Sequence, residues 1–293
     1  MRFTRILIPL DGSRLAEAVL PAACALAARL GARVLFLHVL EREPPAAVHG
    51  ESHLAGADEA SSYLEQHAQR LRAGDIAVDV HVHERAVGDV AAAIDRHTHE
   101  FEADLIAMCA HGRTNLRTRL MGSIAERILR GGSIPILLRT VHRAEVGSFE
   151  LRKVLVPIDF GHDVDSAISA ARAIAVPYGA EIVLLSALEP ATPETARLFP
   201  GTSALMRRYE HDDLARRLGE LAQRLGRELG EVQAIVDDRP PTDAILAANE
   251  ALPADLIVVV TDAHGRLSRW YDPPTGQQLL GRPGLTLLLI KEL

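Results

Sequence analysis

The residues best placed to do chemistry lie between Asp104 and Arg139. Cys109-Ala110-His111-Gly112 is followed by nine residues and then by Gly122-Ser123, where helical spacing begins at Ile124 and continues to Ile128 and Leu129. A glycine at Gly112 lets backbone approach a ligand closely, and Gly122-Ser123 at a helix start offers unpaired N–H groups and a hydroxyl. Together they favour an anion. Arg113, Arg117 and Arg119 add positive charge that suits a polyphosphate, although each arginine alone is equally well read as part of a solvated loop face. Near the N-terminus, Pro9-Leu10-Asp11-Gly12-Ser13 places a carboxylate where a strand turns into a helix. That carboxylate could also be a turn or capping residue, but the recurrence of Pro9-x-Asp11 as Pro157-x-Asp159 favours a binding role.

Other groupings are weaker. His81-x-His83 puts two imidazoles on one face of a strand, with Asp79 on the same face, a spacing that can hold zinc. No further ligand is evident, so a polar strand face is the better expectation and no metal is assigned. His97-x-His99 and the pair His49 and His53 give no stronger signal. His111 with Ser123 could suggest a base and nucleophile, yet no G-x-S-x-G elbow supports it. Cys24 reads as core, and Cys109 as a small buried residue unless its loop is electropositive. Neither the Walker A pattern nor a kinase signature occurs, so the usual devices for phosphoryl transfer are missing and no catalytic residue is assigned.

The elements that must position these residues follow from apolar patterning. Residues 3–8 form a first strand, and a helix with Leu15, Val19, Leu26 and Leu30 on its apolar face follows. Pro21 is a candidate kink in it, and Gly31 closes it. Val34–Val39 is a second buried strand. Residues 41–56 read as a loop, 57–73 as an amphipathic helix, 76–83 as a third strand and 88–101 as a third helix. Leu105–Met108 is too short an apolar run for a helix and reads as a fourth strand, with the loop beginning at Cys109. After the fourth helix, Ile134–Leu138 is a fifth strand. This predicts an α/β unit with a doubly wound, five-stranded parallel sheet. In the order 3-2-1-4-5, the switch point lies between strands one and four, beside Asp11 and the Cys109–Gly112 turn.

A repeat is visible before any fold is assumed. Val154–Asp159 repeats Ile6–Asp11, Gly179-Ala180 repeats Gly31-Ala32, Ala254–Ile257 repeats Ala103–Ile106, and His264-Gly265 repeats His111-Gly112. The chain has 293 residues, enough for two domains, and they are expected at 1–143 and 150–293, with Thr140–Glu150 as linker. The second copy departs at the loop. Asp262 stands where Cys109 does, ten residues separate Gly265 from Gly276, Pro273-Pro274 stiffen the spacer, and Gln277 replaces the serine.

Gly112, the nine-residue spacer, Gly122 and Ser123 resemble the G-2x-G-9x-G-[ST] loop of ATP-binding members of the universal stress protein family, with Cys109 in place of the first glycine. The likeness covers nearly the whole chain. It implies two adenine nucleotide alpha hydrolase-like domains. It also implies an adenine-nucleotide site in the first domain only, for ATP with or without Mg²⁺. The family's site carries over to Pro9, Asp11, Val39, Cys109, His111, Gly112, Arg113, Gly122, Ser123 and Ile124. There the aspartate meets the nucleoside, a backbone group late in strand two meets adenine, and the loop holds phosphates. The implied role is a regulatory stress-response protein, not an enzyme, that acts through ligand-dependent conformation or an unidentified protein partner. A slow ATPase or a nucleotide-independent scaffold are the alternatives. Because family members commonly dimerise through the last strand, the two domains are expected to pair that way within the chain, and a homodimer is also conceivable.

Composition bounds the rest. A formal charge of −7 and a pI near 6.0 argue against a nucleic-acid surface. The short, interrupted apolar runs give no membrane signal, and two cysteines give no disulfide framework, so the cytoplasm is the expected location.

Overall fold

A computed structural model describes residues 1–42, 47–48, 51–52, 54, 56–111, 123–131, 134–141, 147–161, 163–188, 203–261 and 279–291. The first half begins with β1 (Arg5–Pro9), α1 (Arg14–Glu17), α2 (Leu20–Leu30) and β2 (Arg33–Glu41). The two-residue strands β3 (Ala47–Val48) and β4 (Glu51–Ser52) form a small hairpin of their own. Then come α3 (Ala57–Arg72), β5 (Val78–Val87), α4 (Val90–Glu100), β6 (Leu105–His111), α5 (Ser123–Gly131) and β7 (Ile136–Val141). The second half contains β8 (Lys153–Pro157), α6 (Val164–Tyr178), β9 (Glu181–Ala187), α7 (Ser203–Leu229), β10 (Val232–Asp237), α8 (Pro241–Ala251), β11 (Leu256–Thr261) and β12 (Thr286–Lys291).

All ten long strands share one sheet, in the order β10-β9-β8-β11-β12-β7-β6-β1-β2-β5. Setting the small hairpin aside, each half is parallel in the order 3-2-1-4-5, as the sequence pattern predicts. The halves join where β12 pairs antiparallel with β7. The repeat fixes the symmetry of that joint. Ile106 pairs with Ile136 in the first half, and its repeat equivalent Ile257 pairs with Leu287 in the second. Leu137 and Leu288 are therefore equivalent residues, and they face each other, so a pseudo-twofold axis passes through this pair. Both are fully buried.

Cores on both faces run across the joint. One face carries α2, α3, α6 and α7, and its buried residues extend from Ile6 and Leu26 to Ile174 and Leu218. The other carries α4, α5 and α8 over Leu7, Leu37, Leu155 and Leu185. Helices α2 and α6 touch directly: Arg29 donates through Nε to the Pro177 carbonyl, and its guanidinium lies 5.5 Å from the centre of the Tyr178 ring.

Repeated aspartates register the strands. Asp104 accepts the backbone N–H groups of Thr4 and Arg5 at 2.7 and 3.0 Å, and Asp255 accepts those of Arg152 and Lys153 at 2.8 and 3.0 Å. The repeated Ala-Asp-Leu-Ile is thus a strand-start clamp.

Several boundaries differ from the sequence reading; the third strand, for instance, runs to Val87 instead of ending at His83. Pro21 does not kink a long helix. The first helix ends at Glu17, and Pro21 sits in the first turn of α2, where its missing N–H is not needed. β6 runs on to His111 because β7 pairs with it as far as Val141, so Cys109 and His111 are strand residues. That same pairing takes Thr140 and Val141 out of the expected linker. Gly31 does close α2, at φ 64°.

Truncating either residue on the axis removes a fully buried side chain with little room to collapse. Leu137→Ala and Leu288→Ala are each expected to lower unfolding free energy by about 2–5 kcal/mol, against less than about 0.5 kcal/mol for the exposed Leu205→Ala. Urea denaturation of the full chain measures all three.

Candidate functional site

The carboxyl ends of β1 and β6 lie side by side, since these strands pair and the crossovers after them leave on opposite faces. Beyond β1 the chain turns sharply. Pro9 is partly buried at the strand end and Leu10 is buried. Asp11 Oδ1 accepts the Ser13 backbone N–H at 2.9 Å, and Ser13 Oγ accepts the Ala16 N–H at 3.1 Å, capping α1. Gly12 has φ 89°, and a Cβ there would lie 2.7 Å from Leu54 Cγ. Only glycine fits such a turn without displacing the segment above it.

His38, a polar residue within a strand buried on both faces, braces this turn. It is 2% exposed, with Nδ1 2.7 Å from the Leu10 carbonyl oxygen and Nε2 3.2 Å from that of Leu54. It thereby ties β2 to the β1 turn and to the segment covering Gly12. Its counterpart in the repeat is Ser186, also buried, whose Oγ donates to the Ile158 carbonyl at 2.8 Å. Aligning Arg33 with Glu181 through the strand register reveals the pair.

Asp159 holds its own turn in the same way, accepting the Gly161 N–H at 2.8 Å. The recurrent Pro-x-Asp is therefore used as a turn device in both halves, and its recurrence alone does not single out a ligand contact.

Val39 is buried near the end of β2, paired with His83 of β5, and the ladder shifts register between Val39 and Glu41. Cys109 does not present its thiol to the crevice. It is 5% exposed within the core beneath α1, and Sγ donates to the Ala16 carbonyl at 3.6 Å. Burial pushes that thiol up to about 12, and does the same for Cys24. The structure thus brings Pro9, Asp11, Val39 and the backbone of Cys109 and His111 to one end of the sheet. Gly112, Arg113 and Gly122 lie outside the described residues, as do Arg117, Arg119 and the second half's Asp262, Gly265, Gly276 and Gln277. α5 begins at Ser123, with Ile124 partly buried beside the second core.

The histidines of β5 are not a plain polar face. His97, 3% exposed on α4, reaches both His81 and His83, with ring centres 4.7 and 5.0 Å away. Asp79 is not part of that group, because it pairs with Arg33 at 2.8 Å. The sequence signal was incomplete: His97 is fourteen residues from His83, and only the crossover of α4 brings it back over the strand.

This geometry can be set against known proteins. The model of the universal stress protein family matches residues 2–139 and again residues 150–291. The chain belongs to the universal stress protein family. It is a tandem two-domain member, and its fold is of the adenine nucleotide alpha hydrolase-like class. A universal stress protein from Archaeoglobus fulgidus is similar over 99% of both chains, at a TM-score of 0.74 and 20% identity. A functionally unknown protein from Pseudomonas aeruginosa covers 99% of this chain with 93% of its own, at a TM-score of 0.66 and 19% identity. A comparison with curated proteins finds no significant match. Among the described residues of this universal stress protein, no helix is long and apolar enough to cross a membrane.

Two results check the local geometry. A thiol reagent at about pH 8 is expected to leave Cys24 and Cys109 unlabelled in the folded chain and to label both in urea. Gly12→Ala is expected to destabilise the chain by about 1–3 kcal/mol through its left-handed backbone and the contact with Leu54, read by chemical denaturation.

Proposed function

We propose that the first half binds ATP in the crevice at the carboxyl ends of β1 and β6. The nucleotide biases the conformation or assembly of a cytoplasmic, regulatory stress-response protein and so changes its affinity for a protein partner. The observation that carries this reading is the glycine spacing combined with the start of α5. Ser123 begins α5, the helix that follows β6 in the chain, and Gly122 immediately precedes it in the sequence. Unpaired N–H groups at such a helix start favour phosphate oxygens, and Gly112 removes the Cβ that would hold backbone away. Asp11 is partly buried at the mouth of the same crevice, where a carboxylate can accept from ribose hydroxyls. Val39 contributes backbone only, since its side chain is core. Cys109 likewise contributes backbone, its thiol being packed beneath α1.

Nucleotide binding of this kind needs no catalytic residue, and the lysine of a Walker A loop is absent from the sequence. The first and last residues of the domains are taken as 1–143 and 150–293, although β7 extends into the expected linker. The second half is assigned no triphosphate. Asp262 would stand next to phosphates, and a like charge about 4 Å away costs on the order of 1 kcal/mol in water and about 4 kcal/mol at an effective dielectric of 20. Gln277 also replaces the compact hydroxyl of Ser123.

Calorimetric titration of the full chain with ATP tests the proposal, because isolated halves would expose the apolar strands that now pair at the joint. One site per chain is expected. Gly122→Val should abolish binding by blocking backbone approach, and Ser123→Ala should weaken it by about 0.5–1.5 kcal/mol. Unchanged affinity in Gly122→Val overturns the site.

A further inference from the structure

We propose that His81, His83 and His97 form a binding site for a divalent transition ion, best suited to Zn²⁺, at the outer edge of the first half's sheet. The register places His81 opposite Leu37 and His83 opposite Val39, so both imidazoles project to the α4 side of β5. α4 returns across that face and delivers His97 between them. One nitrogen from each ring falls in a cluster whose members all lie within 4.8 Å of one another. The closest pair, His83 Nδ1 and His97 Nε2, are 3.1 Å apart. Two ligands on a tetrahedral zinc with Zn–N bonds of about 2.0–2.1 Å stand about 3.3 Å apart, so this pair is already at bridging distance.

The surroundings match a zinc ligand set. Glu100 Oε2 lies 2.8 Å from His97 Nδ1. In the tautomer that donates from Nδ1 to the carboxylate, Nε2 carries the lone pair that faces His83. A histidine ligand backed by a carboxylate through its other nitrogen is a recurrent arrangement in zinc sites. Phe101 packs on His81 at 5.0 Å and on His97 at 5.8 Å between ring centres, limiting how far either ring can swing. His81 and His83 are partly exposed on β5, the outermost strand of the sheet, which leaves an ion a route in.

The 3.1 Å contact is one N–H hydrogen bond, donated by His83 Nδ1 to His97 Nε2. Zn²⁺ binds once the His83 proton moves through solvent from Nδ1 to Nε2, so all three rings stay neutral, each gives the ion one lone pair, and a fourth position is left for water or an exogenous ligand. Three imidazoles suit Zn²⁺ better than Mg²⁺ or Ca²⁺, which prefer oxygen.

The test is a calorimetric titration of the chelator-treated full chain with Zn²⁺ alone. A saturable site with one ion per chain is expected, lost in the double variant His81→Ala/His83→Ala. Glu100→Gln should weaken it by about 10–100-fold, as expected for a carboxylate behind a ligand, while the exposed His99→Ala leaves it unchanged. Zinc absorption fine structure on the wild-type chain supplies a reading independent of any variant. A shell of three imidazole nitrogens at about 2.0–2.1 Å supports the site. No saturable uptake, uptake unchanged in the double variant, or a shell without three imidazoles overturns it.

Discussion

The antiparallel pairing of β7 with β12 is the interaction on which the rest of this molecule depends. In a lone five-stranded half, each of these apolar strands would be an edge with open N–H and C=O groups, a template for aggregation. Joined, they complete each other's hydrogen bonding and let both cores run uninterrupted across the sheet. Because every strand within a half is parallel, the antiparallel joint has a second consequence. The carboxyl ends of the two halves open at opposite ends of the sheet, so the two crevices are separated by the sheet's length and can diverge independently.

Divergence is what the two crevices display. Both keep the structural devices: an aspartate clamping the first strand's start, Asp104 or Asp255, and an aspartate holding the turn, Asp11 or Asp159. Both brace the residue before that turn from the second strand, but with different chemistry, the long imidazole of His38 in one half and the short hydroxyl of Ser186 in the other. The imidazole reaches further and also holds Leu54 above Gly12, a contact for which a serine is too short. Residues retained in both copies are thus the ones the fold needs. The strand register makes Val260 the counterpart of Cys109, and both side chains pack on the same core, so the difference there is one of core packing.

Much of this was legible in the sequence for a physical reason: strands buried on both faces read as unbroken apolar runs, and a duplicated run such as Ile6–Asp11 and Val154–Asp159 exposes the repeat directly. The strand order is the common one for a doubly wound sheet, with the crossover rule limiting the alternatives. Strand ends were less legible, because pairing with a neighbour, not local composition, decides them. β6 reaches His111 only because β7 reaches Val141. Cys109 was assigned to the ligand loop for that reason, whereas strand alternation turns its side chain into the core with Leu105 and Ala107. The cluster around His97 was invisible for a different reason, since it joins a strand and a helix that only a crossover brings together.

The central claim is that one half of a symmetric sheet retains a nucleotide crevice while the other has lost it. Mass spectrometry of small molecules released from the purified, denatured full chain tests this most directly, since it identifies and counts whatever the folded protein carried. The account predicts an adenine nucleotide at close to one per chain. No nucleotide at all, or two per chain, would contradict it.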